Sequence, residues 1–109
     1  MNHIEVDGRS VAFTETGAGP ALVLVNGFAA TANDWDPGFV ARLAESNRLI
    51  LVEHRGMGVS GDDGRPFSIA DLAADVGAVI ASQTPGSAAV LGWSMGGYVA
   101  QQLAVSNPS

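Results

Sequence analysis

The sequence predicts an α/β protein: an antiparallel hairpin followed by βαβαβα, with a mostly parallel sheet. Three observations carry that prediction. Residues 21–25, 49–52 and 88–91 are unbroken apolar runs of Ala, Val, Leu and Ile, the pattern of strands buried on both faces. Between those runs, apolar residues recur at three- and four-residue intervals, and strands alternating with helices indicate a parallel sheet with right-handed crossovers. Residues 4–16 instead alternate apolar and polar on either side of Asp7-Gly8, a hairpin turn signal.

Taken in order, Ile4 and Val6 on one arm and Val11 and Phe13 on the other give the hairpin its apolar face. Gly17-Ala18-Gly19-Pro20 is the loop into the first buried strand. The next helix takes Asp36 as its cap and Pro37 as its first residue, buries Phe39, Val40 and Leu43, and ends near Asn47. The strongest helical spacing is Ile69, Leu72, Ala73, Val76, Val79 and Ile80. Ser68 caps that helix together with Asp71, and Phe67 and Leu72 are the two ends of a hydrophobic staple. A last helix runs over 95–106 and stops at Pro108. No repeat, low-complexity tract or linker interrupts the chain, so no domain boundary is expected within residues 1–109.

Composition narrows the function. The 109 residues, 47% of them hydrophobic, suit one folded unit and not a disordered segment. Five basic residues stand against 11 acidic ones, for a formal charge of −6, and no Lys/Arg cluster offers itself to phosphates; nucleic acid is not an expected partner. Without cysteine there is neither a disulfide framework nor a thiolate metal site. Only His3 and His54 remain as neutral nitrogen ligands, and no metal or cofactor is expected. The first residues show neither a cationic region nor a long apolar run, so a cytoplasmic protein without a membrane segment is the expectation.

Gly92-Trp93-Ser94-Met95-Gly96-Gly97 matches G-x-S-x-G at the point where a buried strand turns directly into a helix. A turn that sharp crowds the backbone, which calls for glycine on both sides of the serine, and it lifts the hydroxyl above the sheet. The helix that follows points its first amides at the same place, where they meet an anion developing on a substrate. The same pattern also fits a glycine-rich strand-to-helix junction with an idle serine. Val25-Asn26-Gly27-Phe28 ends the first buried strand, and a tight turn at Gly27 aims the Phe28 amide at that oxyanion; taken alone, the segment also reads as a strand and a turn. Gly56-x-Gly58-x-x-Gly61 formally satisfies a dinucleotide fingerprint. That reading is rejected, because Gly61-Asp62-Asp63-Gly64-Arg65-Pro66 continues as loop and brings two carboxylates where a pyrophosphate would lie.

Together the Asn26-Gly27-Phe28 turn, the Arg55-Gly56-x-Gly58-x-Ser60 loop and the serine elbow resemble the α/β-hydrolase superfamily, most closely its small bacterial esterase, enol-lactonase and cofactor-free haloperoxidase-like members. The resemblance implies that residues 1–109 are the N-terminal part of an α/β-hydrolase domain, with Ser94 as nucleophile and the Phe28 and Met95 amides as oxyanion hole. Phe28 and Trp93 would wall the acyl pocket. Two positions depart from the family pattern, which usually has His where Asn26 stands and Asp where Glu53 stands. The residues after Ser94 contain no His, Asp or Glu, whereas the family places its acid and base there. A serine hydroxyl without a base is a weak nucleophile, so the 109 residues are expected to be catalytically incomplete. His54 and His3 are expected to be structural or solvent-exposed, not the base.

The implied activity is hydrolysis of a small-molecule carboxylic ester or lactone, with perhydrolysis and carbon–carbon cleavage also known for the same elbow. The competing expectation is a non-catalytic remnant or partner-binding module. In the family's strand order the 88–91 strand would be left with an unpaired edge, inviting self-association. The helix carrying Val99 and Leu103 would lose part of its packing partner.

Overall fold

The computed structural model describes residues 2–27, 34–55, 60–61, 67–84 and 87–106. Strands β1 (Asn2–Val6) and β2 (Arg9–Thr16) form the expected antiparallel hairpin. Asp7 and Gly8 between them have φ of 50° and 79°, the positive pair that a two-residue turn needs to match strand twist. β2 then pairs antiparallel with β4 (Arg48–Val52). β4 pairs parallel with β3 (Ala21–Val25), and β3 pairs parallel with β5 (Ala89–Gly92). The sheet order is β1-β2-β4-β3-β5, in which β2 alone runs against the other four.

Alternation along β3 and β4 assigns the two faces. Val23, Val25, Ile50 and Val52 join Val11 and Phe13 in a core closed by helix α2 (Ile69–Gln83), through Leu72, Ala73, Val76 and Val79, and by helix α3 (Met95–Ser106), through Val99 and Leu103. Leu24, Leu49 and Leu51 point the other way, toward Trp35 and toward Val40, Leu43 and Ala44 of helix α1 (Pro37–Ala44). Continuous apolar runs are thus explained by helices on both faces.

The caps form as the residue types require. Asp36 accepts from the Phe39 amide at 2.9 Å and Pro37 opens α1. Ser68 and Asp71 close a reciprocal capping box on α2, with Phe67 and Leu72 in the same apolar cluster. Two expectations need correction. Helix α1 ends at Ala44, with Ser46 and Asn47 amides turning back onto Leu43 O. Phe39 is 41% exposed, not buried, because it lies off the stripe that Val40, Leu43 and Ala44 turn to the sheet, and its ring stacks on Trp35 with centroids 6.2 Å apart. On α3, Val99 and Leu103 are buried against α2 and the sheet, and the exposed apolar side chains are Tyr98 and Val105.

One polar device crosses the main core. Asp75, on the buried face of α2, receives Nη1 and Nη2 of Arg9 at 3.0 Å each and Nε and Nη2 of Arg55 at 3.1 and 3.2 Å. All three residues are buried. The Arg55 guanidinium also lies 5.7 Å from the Phe67 ring centroid, so the hairpin, the segment after β4 and the start of α2 are tied at one point. Ser60 adds a second tie, donating to Glu53 O at 2.7 Å and accepting from the Ala12 amide at 2.8 Å.

Candidate active site

β3 and β5 end side by side at the carboxyl edge of the sheet, where the chain order reverses about β3 and an open α/β sheet makes its crevice. The Trp93 amide extends the pairing by donating to Val25 O at 3.0 Å. The next residue, Ser94, has φ of 56°. That left-handed conformation costs a non-glycine residue about 1–2 kcal/mol and persists only where surrounding structure enforces it. Here α3 starts at once: the Gly96 and Gly97 amides donate to Trp93 O and Ser94 O, both at 2.9 Å.

The two glycines flanking the serine are steric necessities. A Cβ on Gly92 would stand 2.2 Å from Gly96 O, and a Cβ on Gly96 would stand 2.0 Å from Val25 O and 2.7 Å from Asn26 O. The first turn of α3 therefore lies directly on the end of β3, where no side chain fits. Ser94 is exposed, and the Gly96 and Gly97 amides of that first turn are taken up by the Trp93 and Ser94 carbonyls just before it.

Asn26 and Gly27 form the opposing wall. A Cβ on Gly27 would come within 3.3 Å of the Ser94 Cβ and 3.7 Å of its Oγ. The Gly27 amide donates to Asn26 Oδ1 at 2.9 Å, so it is already engaged. His54 is 1% exposed, and its Nε2 donates to Asn26 O at 3.1 Å. Burial holds its imidazole below the ordinary value, against the opposing pull of the Asn26 carbonyl and of the Asp75 charge. Nδ1 has no hydrogen-bond partner among the described residues. His3 bonds Ser10 Oγ at 3.0 Å on the exposed hairpin. Neither histidine bonds Ser94.

A cavity of about 630 Å³ opens in front of the serine, walled by Gly27, Trp35, Phe39, Leu91, Trp93 and Ser94. Trp93, 66% exposed, lines this cavity beside Ser94. Trp35 and Phe39 are additions that sequence reasoning missed. The signal was an aromatic pair one helical turn apart across the Asp36 cap. Asp34 and Asp36 also border the cavity. Among the described residues no cluster of three or more His, Asp or Glu side chains is placed to hold a metal ion, and no helix is long and apolar enough to cross a membrane. Phe28, residues 56–59 and 62–66, and Pro108 lie outside the described residues.

A family model described as the alpha/beta hydrolase family matches residues 22–108. The chain belongs to the alpha/beta hydrolase family. Among curated relatives, the pimeloyl-(acyl-carrier protein) methyl ester esterase of Aeromonas hydrophila is 40% identical over 100 residues, covering 91% of this chain and 37% of the relative. The same-named esterase of Nitrosomonas europaea is 38% identical over 99 residues, again 37% of its length. Among solved structures, an N-acyl homoserine lactone degrading enzyme superposes with TM-score 0.91 at 31% identity, over 98% of this chain and 41% of that one. The chain therefore spans little more than a third of the curated relatives it matches. Within this chain the two departures are accommodated locally. Asn26 closes a bond onto Gly27, and Glu53 is buried with its amide donating to Ala12 O at 2.9 Å.

Proposed function

We propose that the chain carries the nucleophile and one wall of the acyl pocket of a serine-dependent hydrolase acting on a carboxylic ester or lactone. The observation that carries this is Ser94, held at φ of 56° between β5 and α3 and bordering the 630 Å³ cavity. Strain of that kind is costly in an idle residue and useful in a presented one. In this reading Ser94 Oγ attacks the substrate carbonyl while a base takes its proton. The Met95 and Phe28 amides hold the oxyanion; its collapse breaks the ester C–O bond, the alcohol oxygen takes the proton back from the base, and water then releases the acyl group as the carboxylic acid. The engaged Gly27 amide supports assigning that donation to the next residue along. Relatives named for a methyl ester and for a lactone are consistent with both substrate classes.

The base and acid are proposed to come from the part of the family's length that this chain does not span. His54 is committed to Asn26 O and His3 to the hairpin, so neither is assigned that work. The test is labelling by a fluorophosphonate, together with hydrolysis of an activated aryl ester by the active protein and by its Ser94→Ala variant. Loss of labelling and a fall in rate of at least about 10³-fold are expected. Equal rates would favour the second reading, a partner-binding module, which draws support from the sheet-edge position of β5 and from exposed Tyr98 and Val105.

A further inference from the structure

We propose that His54 is a positioning residue for the nucleophile, acting through the end of β3; this rests on the reading of Ser94 as nucleophile. His54 follows β4 by two residues and is buried, yet it takes no part in the Arg9–Asp75–Arg55 cluster. Among the described residues its one hydrogen bond runs to the carbonyl of Asn26. That carbonyl is a crowded place. The Asn26 side chain folds back onto the Gly27 amide, the Gly96 backbone packs against Asn26 O closely enough to exclude a Cβ, and a Cβ on Gly27 would stand 3.3 Å from Ser94 Cβ.

The peptide plane between Asn26 and Gly27 turns about the backbone torsions on either side of it, and the bond to Asn26 Oδ1 restrains it at its N–H edge. The bond from His54 fixes the other side of the same residue, so Asn26 is held at its carbonyl and at its carboxamide. Rotation of that plane would swing Asn26 O into the first turn of α3 or move Gly27 against the serine. His54 therefore sets the gap between the β3 end and Ser94 without touching a substrate.

The chemistry of the ring agrees. A carbonyl only accepts, so Nε2 carries the hydrogen, and in the neutral ring Nδ1 is bare. The buried atom left without a partner is then an acceptor, not an N–H. The other tautomer would face two lone pairs toward each other at 3.1 Å and bury an unpaired donor. Glutamine can offer an N–H at a similar reach, whereas phenylalanine keeps the ring and removes the donor.

The test compares His54→Phe and His54→Gln in the active protein by kcat, KM and the rate of fluorophosphonate labelling, each per folded molecule, with nitrogen-15 NMR of the His54 ring. The expected result is the Nε2–H tautomer. His54→Phe should lose about 10- to 100-fold in kcat and in labelling rate at unchanged KM, as a small misplacement of a reacting group does, and His54→Gln should recover most of it. A ring protonated at Nδ1 overturns the proposal, and so does a folded His54→Phe protein that is labelled at the normal rate. Failure of the unsubstituted protein to be labelled overturns the nucleophile reading, and this proposal with it.

Discussion

At the scale of single residues, the site is governed by what cannot be there. Gly96 has no room for one additional carbon, since a Cβ would meet Val25 O at 2.0 Å. Gly96→Ala must therefore push α3 off the end of β3, at a cost of about 3 kcal/mol or more. An unchanged urea midpoint for that variant would show that the close approach is misjudged. His54 makes a separate prediction. Burial lowers its folded-state pKa below the ordinary 6.5, so the unfolded chain takes up the proton first. Its contribution to stability is full above about pH 6.5 and declines as pH falls from there toward the folded-state value. Urea midpoints near pH 7.5 and 5.5 should differ in the unsubstituted protein, and by less in His54→Phe. The serine and its glycines were legible in the sequence, because backbone crowding dictates residue type directly. The partner of His54 was not, since Asn26 lies 28 positions away at the end of another strand's segment, just after β3.

Among the elements, α2 shows what a pattern reveals and what it hides. Its cap, staple and apolar stripe were readable from 67–80, because local geometry and 3.6-residue periodicity set them. Asp75 interrupts that stripe, a carboxylate between Leu72 and Val79 that required a buried cation, yet nothing local named Arg9 and Arg55. Asp75→Ala leaves two buried guanidinium groups without their shared partner and should cost about 3–5 kcal/mol, with the β1–β2 hairpin exchanging amide protons early. Fully protected hairpin amides in that variant would contradict the assigned tie. Helix α1 is the opposite case. Its cap was readable, but Phe39 looked like core and became cavity wall, because an eight-residue helix presents one narrow stripe to the sheet and Phe39 falls beside it.

For the molecule as a whole, the sheet order leaves β5 paired on one side only among the described residues. An exposed edge invites pairing with a second copy, so the 109-residue chain should sediment as a self-associating species. Ala89→Lys, a charge at an exposed position of that strand, should shift it toward monomer; a monomeric unsubstituted chain would refute this. The sequence by itself determined the alternation of elements, the burial of β3 and β4 on both faces, and the serine at a strand-to-helix turn. These follow from hydrophobic periodicity and from glycine at fixed offsets, both properties of neighbouring residues. Only the tertiary structure decided that Asp75 would gather Arg9 and Arg55, that Trp35 and Phe39 would wall the cavity, and that His54 would bond the residue facing the serine. Each of these joins residues from different elements, and their meeting depends on strand order and helix placement, which no local pattern encodes.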